Sequence, residues 1–261
     1  MLENTVFTME HLSKKRLKRF YENEAEQLSH QEKMYAKGEK TEVWWHRKRL
    51  AYILSFFSSI FRESRVETFV DVGCAEGFYV KYVASHRREV FCVGADIARA
   101  YVKKAKSNFN SSNTDYIVCD VDTLPFVDDA SDLTLCSEVL EHVYDYHISL
   151  GELGRITKRF LVISFPGHSY LYRLGIVKML FNRLLQDVGH VSEIRVADVK
   201  RVLGSQGSLS IRIGGALPIM IFRLIPSIKI VNALDDLLCK ILMSRGNLED
   251  ATIHVVEMTI S

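Results

Sequence analysis

Eight residues, Val70-Asp71-Val72-Gly73-Cys74-Ala75-Glu76-Gly77, constrain this chain more than any others. An apolar run closes on a carboxylate, a turn with two glycines follows, and a helical pattern opens behind it. That is the order of a strand-turn-helix nucleotide site. Asp96 then ends the next apolar run.

In a dinucleotide site the helix N-terminus receives a pyrophosphate, because its free backbone N–H groups and its dipole favour an anion. Here Asp71 and Glu76 stand beside the turn. Two carboxylates repel a pyrophosphate but attract a ligand carrying an ammonium and a sulfonium, whose own carboxylate is left for the amides. S-adenosylmethionine (SAM) has that charge pattern.

The 261 residues suit one large α/β domain with additions, or two small ones. With 48% hydrophobic and 25% charged residues, nothing in the composition points to disorder or to a disulfide scaffold. A formal net charge of +2 does not by itself argue for nucleic acid. Cys74, Cys92, Cys119, Cys136 and Cys239 include no CxxC pair, a usage that fits buried thiols in a reducing compartment. The first twenty residues lack the apolar core of a signal peptide. The longest uncharged run of the most apolar region, Ile213 to Phe222, is far short of the roughly 20 residues that span a bilayer. The expectation is a cytoplasmic protein, with peripheral membrane contact left open.

Residues 1–64 read as helices, with Gly38 as a stop, Thr41 as an N-cap, and Leu50, Ile53, Leu54, Phe57, Ile60 and Phe61 at helical spacing. From Glu67 onward β-rich runs (68–72, 90–95, 116–119, 133–137, 160–165) alternate with helical patterns (77–86, 97–107, 147–158). Such alternation predicts a parallel sheet with helices on both faces, and a ligand beyond the carboxyl ends of the strands. Further on, 197–203 reads as a helix, while 208–213 and 252–260 read as strands.

The glycine turn, Cys119-Asp120-Val121, Thr123-Leu124-Pro125-Phe126, the run Cys136-Ser137-Glu138-Val139-Leu140-Glu141-His142-Val143, and Ile163-Ser164-Phe165-Pro166 occur in that order. Together they resemble the motifs of class I SAM-dependent methyltransferases of the small-molecule type, over about residues 67–165. The resemblance implies a Rossmann-like, doubly wound, mostly parallel seven-stranded sheet. It also implies an N-terminal helical cover over 1–64 and a SAM-binding domain over 65–261, with helical insertions at about 167–205 and 214–248.

The resemblance further implies a cofactor set of Asp71, Gly73, Cys74, Ala75, Gly77, Asp96, Ile97, Asp120, Val121 and Ser137. In that scheme Asp96 accepts from the ribose hydroxyls, Ile97 lies on the adenine, Asp120 and the Val121 amide read its edge, and Ser137 borders the methionyl part. Asp71, Gly73 and Gly77 also suit a plain strand-helix turn, and Asp96 also suits a helix cap. Ala75 replaces the common middle glycine, which an alanine tolerates at negative φ.

Methyl transfer from a sulfonium is an in-line displacement, so alignment and water exclusion matter more than acid-base work. A base remains useful for a hydroxyl or ammonium acceptor, and Glu138, Glu141, His142 and His190 are the candidates. His142 equally suits capping or packing on the sheet, Glu141 suits a solvated position, and His190 suits a structural hydrogen bond. His142 and His147, five apart, share no helical face, and no metal site is expected.

The segment after the fourth strand lacks the Asn or Asp-Pro-Pro-Tyr run of base-amine methyltransferases, and no Pro-Cys nucleophile occurs. Lys14, Lys15, Arg16, Lys18 and Arg19 suit RNA phosphates or a solvated helix face. Nucleic acid is therefore a weaker candidate than a small acceptor, lipid- or saccharide-linked ones included. The apolar and basic stretches 170–181 and 219–225 suit a greasy pocket, a membrane interface, a dimer seam or a packed lid. Trp44-Trp45-His46-Arg47 suits either closure over SAM or a core contact. A SAM-binding partner subunit without turnover is the reading outside the enzyme class.

Overall fold

The computed structural model describes residues 14–27, 40–167, 191–216, 225 and 227–260. Gly38, His190 and the stretches 170–185 and 219–224 fall outside them. A single sheet of seven strands organises the chain: β1 (Thr68–Val72), β2 (Phe91–Asp96), β3 (Thr114–Val118), β4 (Ser131–Ser137), β5 (Thr157–Pro166), β6 (Gly207–Gly214) and β7 (Ile253–Ile260). Their order is β3-β2-β1-β4-β5-β7-β6. The first five run parallel, and β7 lies antiparallel to both β5 and β6. This is the expected Rossmann-like sheet, with the chain reversing direction between β1 and β4, where such folds open a crevice.

Strand periodicity sorts the core onto two faces. Phe69, Leu133 and Val162 point to one side, where α2 (Lys40–Glu63), α3 (Phe78–His86) and α4 (Arg99–Asn108) cover them with Ile53, Phe57, Val83 and Ala105. Val70, Val72, Leu161 and Ile163 point to the other, under α5 (Tyr146–Ile156) and α6 (Val196–Leu203), which contribute Leu150, Leu153, Val199 and Leu203. Parallel strands buried on both faces need this double cover. Two further described helices complete the fold, α1 (Lys14–Gln27) and α7 (Ile228–Ser244).

Helix α2 already runs from Lys40, so Thr41 lies inside it rather than at its cap. The expected apolar stripe does its packing, with Ile53, Phe57 and Ile60 almost fully buried. Trp45 packs on the same cluster beneath the Arg49 guanidinium, 4.9 Å from its ring centroid. Trp44 packs beside Val231 and donates from Nε1 to Asn232 Oδ1 at 2.7 Å. Of the two roles open to this tryptophan pair, the structure shows packing.

Candidate active site

A cleft opens at the carboxyl ends of β1 to β4. Gly73 and Ala75 form its floor, Asp96 and Ile97 one wall, and Cys119, Asp120 and Val121 the next. Glu138, Val139, His142 and Val143 close the far side, while Tyr21, Glu24 and Tyr101 enter from α1 and α4.

The turn after β1 is tied to the end of β2. Gly73 and Cys74 both donate to the Ala95 carbonyl, at 2.7 and 3.0 Å. Asp96 receives the Ala75 N–H on Oδ2 and the Ala98 N–H on Oδ1, each at 2.9 Å. It therefore caps the approach to α4 as well as facing the cleft. Each oxygen keeps a lone pair, since a carboxylate accepts about four bonds. Ala75 departs from expectation: its φ is +43°, in the left-handed region that L-residues occupy at a cost of about 1–2 kcal/mol. The bond to Asp96 and packing beside Tyr21 and Ala98 hold it there.

Asp71 is 1% exposed and does not line the cleft; it lies behind the turn on the face of Phe69. Burial pushes its carboxyl up to about 8, with the Asp96 charge adding to the effect. Asp96 itself is pushed to about 6, chiefly by burial, against the pull of the Ala98 and Ala75 amides. Glu76 sits 3.8 Å from Lys104 Nζ. The carboxylates that face the cleft are thus those of Glu24, Asp96, Asp120 and Glu138, not the Asp71 and Glu76 that the sequence brings forward.

These raised values carry a sign. An unfolded chain ionises both groups near 3.8, whereas the folded chain keeps their protons to about 6 and about 8. Folded protein then binds more protons than unfolded, so stability falls as pH rises from about 4 to 8, with a slope of at most about 1.4 kcal/mol per pH unit for each group. Thermal melts between pH 5 and 8 should show this decline, and Asp71→Asn should flatten its upper half. An unchanged slope in that variant would remove the assignment.

On the far side, Glu138 has φ +57° and a carboxylate held from two directions. Arg49, 4% exposed on α2, meets it at 2.8 Å, and Ser164 Oγ donates to it at 3.1 Å. Ser137 Oγ lies 2.8 Å from Ser164 Oγ and faces β5 rather than the cleft. Cys74 and Gly77 likewise stand behind the lining, Gly77 opening α3 at φ +80°. Of the base candidates, Glu138 and His142 reach the cleft, Glu141 is buried beside it, and His190 lies outside the described residues. The Glu141 carbonyl accepts from Val191 and Ser192, which draws the segment after His190 against this wall.

Helix α1 was not legible as part of the site. Its Tyr21 ring meets His142 edge-on at 5.5 Å, and the Tyr21 hydroxyl is buried with no hydrogen-bond partner among the described residues. Burial, then the Glu141 charge, hold that hydroxyl well above the usual phenol range, so it stays a donor. Glu22 accepts the N–H of Arg99 at 2.8 Å and of Ala100 at 2.9 Å, capping α4, whose own N-cap Ala98 has no side chain to do so. Arg49 and Tyr101 were also missed. No group of three or more potential metal ligands occurs among the described residues.

Residues 70–160 match the family model described as a methyltransferase domain. Over those residues the chain is similar to that methyltransferase domain, and its fold is that of solved SAM-dependent methyltransferases. No curated protein sequence matches it. Among solved structures, magnesium protoporphyrin IX methyltransferase from Synechocystis PCC 6803 with bound S-adenosylhomocysteine aligns with a TM-score of 0.62 at 14% identity, over 95% of this chain and 100% of that one. A SAM-dependent methyltransferase from Archaeoglobus fulgidus aligns at 0.55 and 15% identity, over 82% and 94%. Phosphoethanolamine N-methyltransferase 2 from Haemonchus contortus in complex with SAM aligns at 0.54 and 14% identity, over 82% of this chain and 52% of that one.

Proposed function

We propose that this chain transfers the methyl group of SAM to an oxygen or nitrogen of a small acceptor, lipid- or saccharide-linked molecules included. One observation carries the reading: the described cleft lining holds four carboxylates and no lysine or arginine. Such a wall favours an ammonium and a sulfonium and disfavours a pyrophosphate. The neighbours above, which include small-molecule methyltransferases, favour a small acceptor over RNA.

When bound, SAM supplies an electrophilic methyl on sulfur. Asp96 would hold the ribose hydroxyls with the lone pairs its two amide bonds leave over. Ile97 would take the adenine, Asp120 and the Val121 amide its edge, and the Gly73 and Ala75 backbone the methionyl part, all of them lining the cleft. Asp71, Cys74, Gly77 and Ser137 build that wall from behind. Tyr21 and Glu24 cover the cleft and exclude water. His142 is the base for an acceptor that must lose a proton, because Arg49 and Ser164 already engage the Glu138 carboxylate.

Calorimetric titration with SAM, followed by assay of S-adenosylhomocysteine release with fractionated cell extract, tests this. A nuclease-sensitive acceptor would indicate RNA, and tight SAM binding without turnover on any fraction would indicate a partner subunit. Glu22→Ala tests the cover. It removes the α4 cap that seats α1, and is expected to weaken SAM about 5-fold, from the ~1 kcal/mol typical of a cap. Stopped-flow release should show a faster off-rate. Unchanged release would mean that α1 does not retain the donor.

A further inference from the structure

Helix α7 does not turn a polar face to water as a surface helix should. Its inward face is settled: Val231, Asp235 and Cys239 are buried, and Asp235 accepts from Lys48 Nζ of α2 and, at 3.0 Å, from the Gly215 N–H. The opposite face should then be polar. Instead Ile230, Leu234, Leu237 and Ile241 recur there at spacings of four, three and four, with Ile230 and Leu237 53% and 55% exposed. Ile228 and Met243, at the two ends of the helix, are exposed as well but lie on the side of Asp235 and Cys239. Of the eleven large apolar side chains exposed among the described residues, four form this one stripe, so the patch is not ordinary surface scatter.

The charges around the patch say what covers it. Lys229 and Lys240, eleven residues apart and so on one flank, are exposed, as is Arg245 just past the helix end. The two acids of the helix are already engaged, because Asp235 and Asp236 both hold Lys48. An antiparallel two-fold pairing of α7 with a second copy would set the lysine flank against itself, which like charges oppose. An apolar stripe with a basic margin fits an anionic bilayer, with the stripe in the acyl boundary and the lysines at the headgroups.

We infer that α7 is an in-plane docking helix for an anionic lipid surface. Its placement gives the docking a purpose. Strand β6, antiparallel to β7 like β5, ends at the same edge of the sheet as the parallel strands, and Gly215 at that end anchors α7. Lys48 of α2 holds α7 while Arg49, the next residue, holds Glu138 in the cleft wall. Docking therefore brings the edge that carries the cleft to the membrane, where a lipid-linked acceptor resides. The inference deepens the proposed function and rests on it only for the acceptor, since vesicle binding requires no methyl transfer.

Co-sedimentation of the full chain with vesicles tests it. The chain should pellet with vesicles of phosphatidylcholine and phosphatidylglycerol in equal parts and much less with phosphatidylcholine alone. Lys229→Ala combined with Lys240→Ala should weaken pelleting about 25-fold, at roughly 5-fold per lysine near a charged surface. Ile230→Gln combined with Leu237→Gln should abolish it, while the melting temperature and SAM affinity of both variants stay those of the parent. Failure to pellet, or equal pelleting with both vesicle types, overturns the inference. So does a dimer in light scattering that the glutamine variant converts to monomer, because the stripe is then a seam between copies. Loss of SAM binding by the parent chain would instead count against the proposed function alone.

Discussion

Asp96→Ala is expected to weaken SAM binding by about 100-fold or more, the largest loss from any single side chain of the cleft. A charge-assisted hydrogen bond contributes about 1.5–3 kcal/mol, and a carboxylate facing a ribose diol makes two. The same substitution frees the Ala75 and Ala98 amides, so the left-handed turn at Ala75 loses the bond that holds it. Asp96→Asn separates the two effects, because the amide keeps one acceptor oxygen and loses the charge. Calorimetry should rank the parent above Asn and Asn above Ala. Equal affinity in all three would remove Asp96 from the donor site.

Gly73→Ala should damage fold and site together. Gly73 has φ +77°, and a Cβ built on it would lie 2.1 Å from Val139 Cγ2, a contact no side chain sustains. The left-handed conformation costs an alanine about 1–2 kcal/mol and overpacking about 1–3 kcal/mol more. The thermal midpoint should drop by roughly 5–10 °C in a chain of this size. Since Val139 also lines the cleft, relief of the clash would push the far wall outward and cost SAM affinity. Val139→Ala in the same chain should recover most of the overpacking loss but none of the conformational strain, a partition that differential calorimetry can read. Full recovery would mean that the positive φ is not needed.

The sheet is legible in the sequence because its signal is local. Runs such as Phe69-Val70-Asp71-Val72 carry the period and length of a strand buried on both faces, and the seven expected strands form within three residues of their predicted ends. Gly73, Asp96 and the Asp120-Val121 pair follow from motif spacing, and the structure brings them to one cleft. What the motif could not show was depth: Asp71 and Ser137 belong to the same segments yet face away from it. Helix α1 was illegible for another reason. Nothing in Tyr21-Glu22-Asn23-Glu24 marks a cleft wall, because its partners Arg99, Ala100 and His142 lie far along the chain and meet it only after the sheet is built. Arg49 was hidden in the same way, one more charge on an amphipathic helix until Glu138 is placed opposite it.

The seating of α2 sets an order of events on the ribosome. Its Ile53, Phe56, Phe57 and Ile60 share a cluster with Ile253 and Val255 of β7, a strand translated about 190 residues after the helix ends at Glu63. At roughly 5–20 residues per second the nascent helix waits on the order of ten seconds or more before that strand emerges. Until then its greasy side is open to chaperones and to other chains.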